Sequence, residues 1–120
     1  DTWAYSVAHN YWAKVPVEDE PVGLFYHQAV CNDGRMFVFG GITADGIVSD
    51  ETLMLDLSTN VWITLTPEGV SPARFAFTAS ATANTWYIYG GQNADGNNIA
   101  EGWMFDFNFN RWIKMVSFRE

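Results

Sequence analysis

Hydrophobic residues in this chain come in short runs of five to seven, separated by polar and glycine-rich stretches, and the runs recur in groups of four. One group is Phe25–Cys31, Met36–Gly40, Thr52–Leu57 and Val61–Leu65; the next is Phe75–Ala81, Trp86–Gly90, Gly102–Phe107 and Arg111–Met115. The runs are rich in β-branched and aromatic residues and too short for helices, so each predicts a strand. Met36-Phe37-Val38-Phe39 and Trp86-Tyr87-Ile88-Tyr89 are apolar on both faces. Such strands need cover on both sides, as in a sheet stacked between two others. Asn32-Asp33-Gly34 is a hairpin signal, because Asn and Gly tolerate the positive φ of tight turns. Ala83-Asn84-Thr85 is its weaker counterpart, and Ser58-Thr59-Asn60 and Asn108-Phe109-Asn110 join the third and fourth strands of each group. Ala8-His9-Asn10 does the same between Trp3–Val7 and Tyr11–Val15. No helix is expected. The prediction is an all-β chain of four-stranded antiparallel meanders.

The groups are copies of one unit. Trp12, Trp62 and Trp112 stand 50 residues apart, as do Asn10, Asn60 and Asn110. Gly40-Gly41 and Gly90-Gly91 keep that spacing, as do Asp56 and Asp106, and Glu51 and Glu101. Many markers sharing one period identify a repeat protein. Each has a physical use. A Gly pair at a strand end lets a neighbouring sheet approach closely. A Trp can wedge between sheets. The Asp interrupts an apolar run and needs hydrogen-bond partners if it is buried.

An apolar strand ending in Gly-Gly, a polar loop, a strand carrying Asp and then Asn-X-Trp resembles the kelch repeat. The chromosome-condensation-regulator repeat has a similar period, but its Gly-Gln-Leu-Gly element is absent. The resemblance implies kelch-type β-propeller blades. Residues 1–22 would be the C-terminal half of a preceding blade with its interblade loop, and 23–72 and 73–120 two whole blades. Propellers close with about 4–8 blades, so two and a half copies form an incomplete ring. The chain is then expected to be a fragment of a propeller of five to seven blades, or a subunit that assembles a ring with further blades in trans.

Charge narrows the partners. The formal net charge is −8, with six Lys and Arg. That opposes binding to nucleic acid, whose phosphates need clustered cations, and binding to an anionic membrane surface. If charge recognises anything, the partner is a basic protein or peptide. No apolar run approaches a membrane span, and no signal peptide is seen. The single Cys31 excludes an intrachain disulfide. One thiol and no Asn-X-Ser/Thr site slightly favour an intracellular setting, with the compartment left open.

In kelch propellers the loop after the Gly pair and the loop between blades share one face, and that face commonly holds the partner site. By this resemblance the loops are Ile42–Asp50 and Gln92–Ala100, with Pro16–Leu24 and Pro67–Arg74. Long loops on a rigid scaffold tend to carry function. These hold Glu18, Asp19, Glu20, Asp45, Asp50, Glu68 and Asp95, with Asn93, Asn97 and Asn98 as amide hydrogen-bonders. Arg74 is the one cation, at the family position that in some members binds a partner carboxylate; Leu24 stands at the corresponding place in the other loop. His27 and Cys31, four apart on an expected strand, would lie about 13 Å apart, too far for a shared metal or a nucleophile–base pair. His9 is expected in an exposed turn. Asp45 and Asp95 lack the ligand alternation of a calcium loop and read as turns. No metal, cofactor or catalytic constellation is expected, and the chain reads as a protein-interaction scaffold rather than an enzyme. Two alternatives stand: a fragment of a kelch-propeller metalloenzyme, copper-dependent like galactose oxidase or iron-dependent like the specifier proteins, or a self-assembling ring subunit.

Overall fold

A computed structural model describes residues 1–115; the last residues assigned to the final blade, 116–120, lie outside the described residues. Twelve strands form in chain order. They are β1 (Trp3–Ser6), β2 (Tyr11–Lys14), β3 (Leu24–Phe25), β4 (Gln28–Asn32), β5 (Arg35–Phe39) and β6 (Ile42–Thr43), then β7 (Thr52–Asp56), β8 (Val61–Leu65), β9 (Thr78–Ala81), β10 (Thr85–Tyr89), β11 (Gly102–Asp106) and β12 (Arg111–Lys114). Among the described residues there is no helix. The sheets β4-β5-β7-β8 and β9-β10-β11-β12 are the two expected meanders, and β1 pairs only with β2. Every strand pair is antiparallel. The described residues make an elongated body of 52 × 33 × 27 Å in which the sheets do not close a ring.

The markers act as their chemistry suggests. Asn10, Asn60 and Asn110 have φ of 55°, 59° and 51°. Each hairpin thus turns through the left-handed region, which Asn tolerates better than most residues. Asp56 and Asp106 are half-buried, and each caps the hairpin that follows it. The Asp56 Oδ1 accepts hydrogen bonds from the Ser58 amide at 2.9 Å and the Ser58 hydroxyl at 2.6 Å. The Asp106 Oδ1 accepts from the amides of Asn108 and Phe109 at 2.9 and 3.2 Å. The Ser58 hydroxyl and amide hold the Asp56 carboxyl below the usual range.

One expected strand breaks in two, at the same place in both repeats. The run Phe25–Cys31 is interrupted at Tyr26, where φ is 60°. Leu24–Phe25 turns away to pair with Ile42–Thr43, and β4 starts at Gln28. Ala76, at φ 56°, breaks Phe75–Ala81 in the same way, and Phe75 bridges to Gln92. His27 therefore lies at this break and not on a strand shared with Cys31, as the sequence had implied. The break sends the chain across the end of its own blade, where it meets the loop after the Gly pair.

The core lies between the middle blade (β4, β5, β7, β8) and the last blade (β9–β12). Phe37 and Phe39 from β5 meet Phe105 at 5.6 Å and Trp112 at 4.7 Å between ring centroids. Trp86, Phe39 and Phe105 are almost wholly removed from water. A buried aromatic ring removes ~150–250 Å² of surface. At ~25 cal/mol per Å² that is at most about 4–6 kcal/mol each. The Trp112 Nε1 donates to the Thr52 hydroxyl across this interface at 2.9 Å. The same bond recurs 50 residues earlier, from the Trp62 Nε1 to the Thr2 hydroxyl at 3.4 Å. Backbone ties repeat as well: the Trp62 amide donates to the Glu18 carbonyl at 2.9 Å and the Trp112 amide to the Glu68 carbonyl at 2.8 Å. Each interblade loop thus runs beside the outermost strand of the next blade.

The Gly pair is required where blades meet. Gly40 has φ of 72°, and a Cβ there would lie 2.6 Å from the Phe77 ring and 2.7 Å from the Arg74 carbonyl, both on the following blade. Only the absence of a side chain lets the two sheets approach this closely.

Candidate functional site

The four long loops lie where the repeat places them, but they do not bring all their polar residues together. After Gly41 the chain makes a small hairpin, with Ile42 bridged to Val48 and the Thr43 amide bonded to the Ile47 carbonyl at 3.0 Å. Asp45-Gly46 forms its tip, with Gly46 at φ 84°. Its counterpart turns at Asp95-Gly96, where the Asn93 Oδ1 accepts from the amides of Asp95 and Asn97 at 2.9 and 3.1 Å. The Asn93 side chain is thus occupied by its own turn. Asn98 bridges to Gln92 and borders a shallow depression of about 600 Å³ with Tyr26, Phe75 and Ile99. Glu18 and Asp19 are exposed beside β8; Asp19 has φ of 57°, as its repeat partner Gly69 has 74°.

Two of the expected residues do converge. Glu20 from the interblade loop and Asp50 from the loop after the Gly pair face a groove of about 560 Å³. Its floor is Leu24, Leu53 and Thr64; Val22 and Ile47 form walls that are 72% and 63% exposed. Glu51 completes the acidic rim. The groove adjoins a second hollow of about 440 Å³ between the β1–β2 hairpin and the middle blade, lined by His27, Met36, Val38 and Trp62. Glu18, Asp19, Asp45, Asp95 and the asparagines lie outside both hollows.

Arg74 is where the structure most changes the expectation. Placed on the loop face by its position in the repeat, it is instead fully buried beneath that face. Its Nη1 donates to the carbonyls of Gly90 at 3.0 Å and Glu101 at 3.2 Å, and its Nε to the Pro72 carbonyl at 3.3 Å. Its Nη2 lies 3.6 Å from the Glu101 carboxylate. Burial lowers the Arg74 pKa, and the Glu101 charge opposes that shift. Glu101 in turn accepts from the Trp103 indole at 2.9 Å and pairs with Lys114 at 3.3 Å. The Trp103 hydrogen bond, then Lys114 and Arg74, hold its carboxyl below the ordinary value. The guanidinium thereby ties the interblade loop to the ends of β10 and β11.

The sequence reading used Glu51 and Glu101 only as repeat markers, and their chemistry differs. At the four positions around Glu101 the last blade has Arg74, Glu101, Trp103 and Lys114; the middle blade has Leu24, Glu51, Leu53 and Thr64. All three replacements remove volume; two remove the donor outright and the third exchanges an ammonium for a hydroxyl. The signal was present as correlated departures from the repeat, but only the fold shows that the four positions are neighbours. Among the described residues no three of His, Cys, Asp and Glu form a metal-binding group. Cys31 is a free, exposed thiol.

Comparison with known proteins agrees with the architecture. No curated protein matches the chain significantly. A family description does: the KLHDC2/KLHL20/DRC7 Kelch-repeats domain matches residues 1–119. With the 50-residue markers, the four-stranded meanders and the Gly-mediated blade contacts already in place, the chain belongs to this kelch-repeat family.

Proposed function

We propose that the chain is a protein-interaction scaffold, not an enzyme, and that it receives a basic or polar peptide on the face formed by the loop after the Gly pair and the interblade loop. The groove between these two loops carries this reading. It joins an apolar floor to an acidic rim of Glu20, Asp50 and Glu51. Apolar area supplies affinity, and charge at the rim supplies selection and rate. A net charge of −8 favours a basic partner in the same sense.

The test is a peptide display library panned against the chain. Enriched sequences should carry Lys or Arg beside an apolar residue. Their binding should fall when Glu20 and Asp50 are changed to Ala together, and should persist when Asp45 and Asp95 are changed instead. Enrichment indifferent to all four loops would defeat the proposal.

The free face of the last blade favours a further blade there, in the same polypeptide or a second one. Tyr89 is 53% exposed on the side of β10 that points away from the middle blade. A Cβ at its neighbour Gly90 would meet only the Ile99 carbonyl, at 3.9 Å, where one at Gly40 meets Phe77 and Arg74. Sedimentation of the purified chain separates these cases: a ring-sized oligomer means blades supplied in trans, and a monomer rejects self-assembly.

A further inference from the structure

The groove at Leu24 is the repeat counterpart of the buried Arg74 site one blade later. In the last blade a guanidinium, an indole N–H and an ammonium surround the Glu101 carboxylate, at 3.6, 2.9 and 3.3 Å. One repeat earlier the backbone follows the same course, and Glu51 stands where Glu101 does. The two cations and the indole, however, have become Leu24, Thr64 and Leu53, which leave a hydroxyl and no charge. Among the described residues Glu51 makes no ion pair. The space those side chains would fill is instead the groove of about 560 Å³ that Leu24, Glu51, Leu53 and Thr64 line. Glu20 and Asp50 add two carboxylates at its edge.

We propose that this groove receives an arginine side chain from a partner peptide, which supplies in trans the guanidinium that Arg74 supplies within the chain one blade later. This rests on the peptide-binding reading above and specifies its ligand. Two features select arginine over lysine, and a third is shared by both. The guanidinium is planar and pairs with a carboxylate through two parallel N–H···O bonds. It is weakly hydrated, so it can enter a hollow floored by leucines. Its stem would cover Leu24 and Leu53 as a long cationic side chain covers apolar surface. The corresponding site in the last blade already holds this group, with Nε and Nη1 bonded to carbonyls and Nη2 3.6 Å from the Glu101 carboxylate.

The experiment titrates the full chain with the acetylated, amidated peptide Gly-Ser-Arg-Ser-Gly and with the same peptide carrying citrulline, a neutral isostere. Amide NMR shifts are the readout. The arginine peptide should perturb the amides of Glu20, Val22, Gly23 and Leu24 and of residues 47–53, and citrulline should bind at least about tenfold more weakly, as expected when a charge-assisted pair becomes neutral. Glu51→Gln should weaken the arginine peptide by a similar factor. Leu24→Arg should abolish its binding by filling the groove from within, with an otherwise native spectrum. Leu24→Met, which keeps the site apolar, should retain it. The proposal is overturned if the arginine peptide leaves these amides unmoved, if citrulline binds equally, or if binding survives Leu24→Arg. Display-selected peptides that lack arginine and bind Leu24→Arg unchanged would overturn this inference while the scaffold reading stands. Failure of every selected peptide to depend on the loops would overturn the scaffold reading itself.

Discussion

At equivalent places in successive blades the chain puts Leu24 and Arg74, and the middle and last blades differ around them in a connected way. The last blade closes its loop end with a buried guanidinium, a paired carboxylate and a Trp. The middle blade leaves that end open over two leucines and a free acid. The contrast reverses on the blade faces. The middle blade packs on the last through Phe37 and Phe39 and lies against the β1–β2 hairpin through Trp62 and Thr2. The last blade has a described neighbour on one side only, and Tyr89 on the other is half in solvent. The repeat therefore specifies a common backbone, and the residues at Leu24 and Arg74 with their neighbours decide whether its loop end is open or closed.

The largest break in the comparison should come from the Trp series. Trp112→Ala removes a ring that is 3% exposed and should cost about 3–5 kcal/mol, measured by urea unfolding. Trp12→Ala, at 65% exposure, should cost under about 1 kcal/mol, with half-buried Trp62 between. Equal losses at the three positions would mean that the marker acts within its own blade and not between blades.

Converting the last blade to the middle blade's choice comes next. Arg74→Leu leaves the part-buried carbonyls of Gly90 and Glu101 without that donor and should cost about 2–3 kcal/mol. The reciprocal Leu24→Arg should be within about 1 kcal/mol of neutral, because Glu51 awaits a partner and the groove has room. A large loss from Leu24→Arg would show the two loop ends to be less alike than their backbones.

A smaller difference should separate two glycines. Gly40→Ala and Gly90→Ala both place a side chain at positive φ, at 72° and 78°, and each should lose at least about 1 kcal/mol. Gly40→Ala should lose about 1–2 kcal/mol more, since its Cβ also meets Phe77 and the Arg74 carbonyl.

The smallest effect concerns pH. The Glu101 carboxyl has a lowered folded value, so the folded state binds its proton less readily than the unfolded chain does. Its stabilisation is fully present above the ordinary glutamate value and is lost as pH falls through the folded value. Glu101 is part-exposed, so solvent screens this effect and keeps it small. Glu101→Gln should remove that fraction of the acid sensitivity, read as the pH dependence of the unfolding midpoint.

Much of the fold was legible before any coordinates. Strand order, hairpin turns and the 50-residue register follow from short β-branched and aromatic runs and from residues that tolerate positive φ, which are local properties. The break at Tyr26 was not legible, because neither Tyr nor Ala marks a left-handed residue. It is imposed by the pairing of β3 with β6 and, in the next unit, of Phe75 with Gln92. The candidate site was legible only in part. Glu20 and Asp50 were named as loop acids, but Asp19, beside Glu20 on the same loop, and Asp95 lie outside the groove.

The sequence by itself determined the strand pattern, the repeat and the acidic charge, because each depends on side-chain chemistry at fixed intervals along the chain. Only the tertiary structure decided which positions meet. It buried Arg74 under a surface that composition would have given it, and it set Leu24, Glu51, Leu53 and Thr64 around one hollow. Those residues lie up to 40 positions apart in sequence. They become neighbours because β7 and β8 pair in one register and the interblade loop crosses their end. Only packing, not periodicity, carries that information.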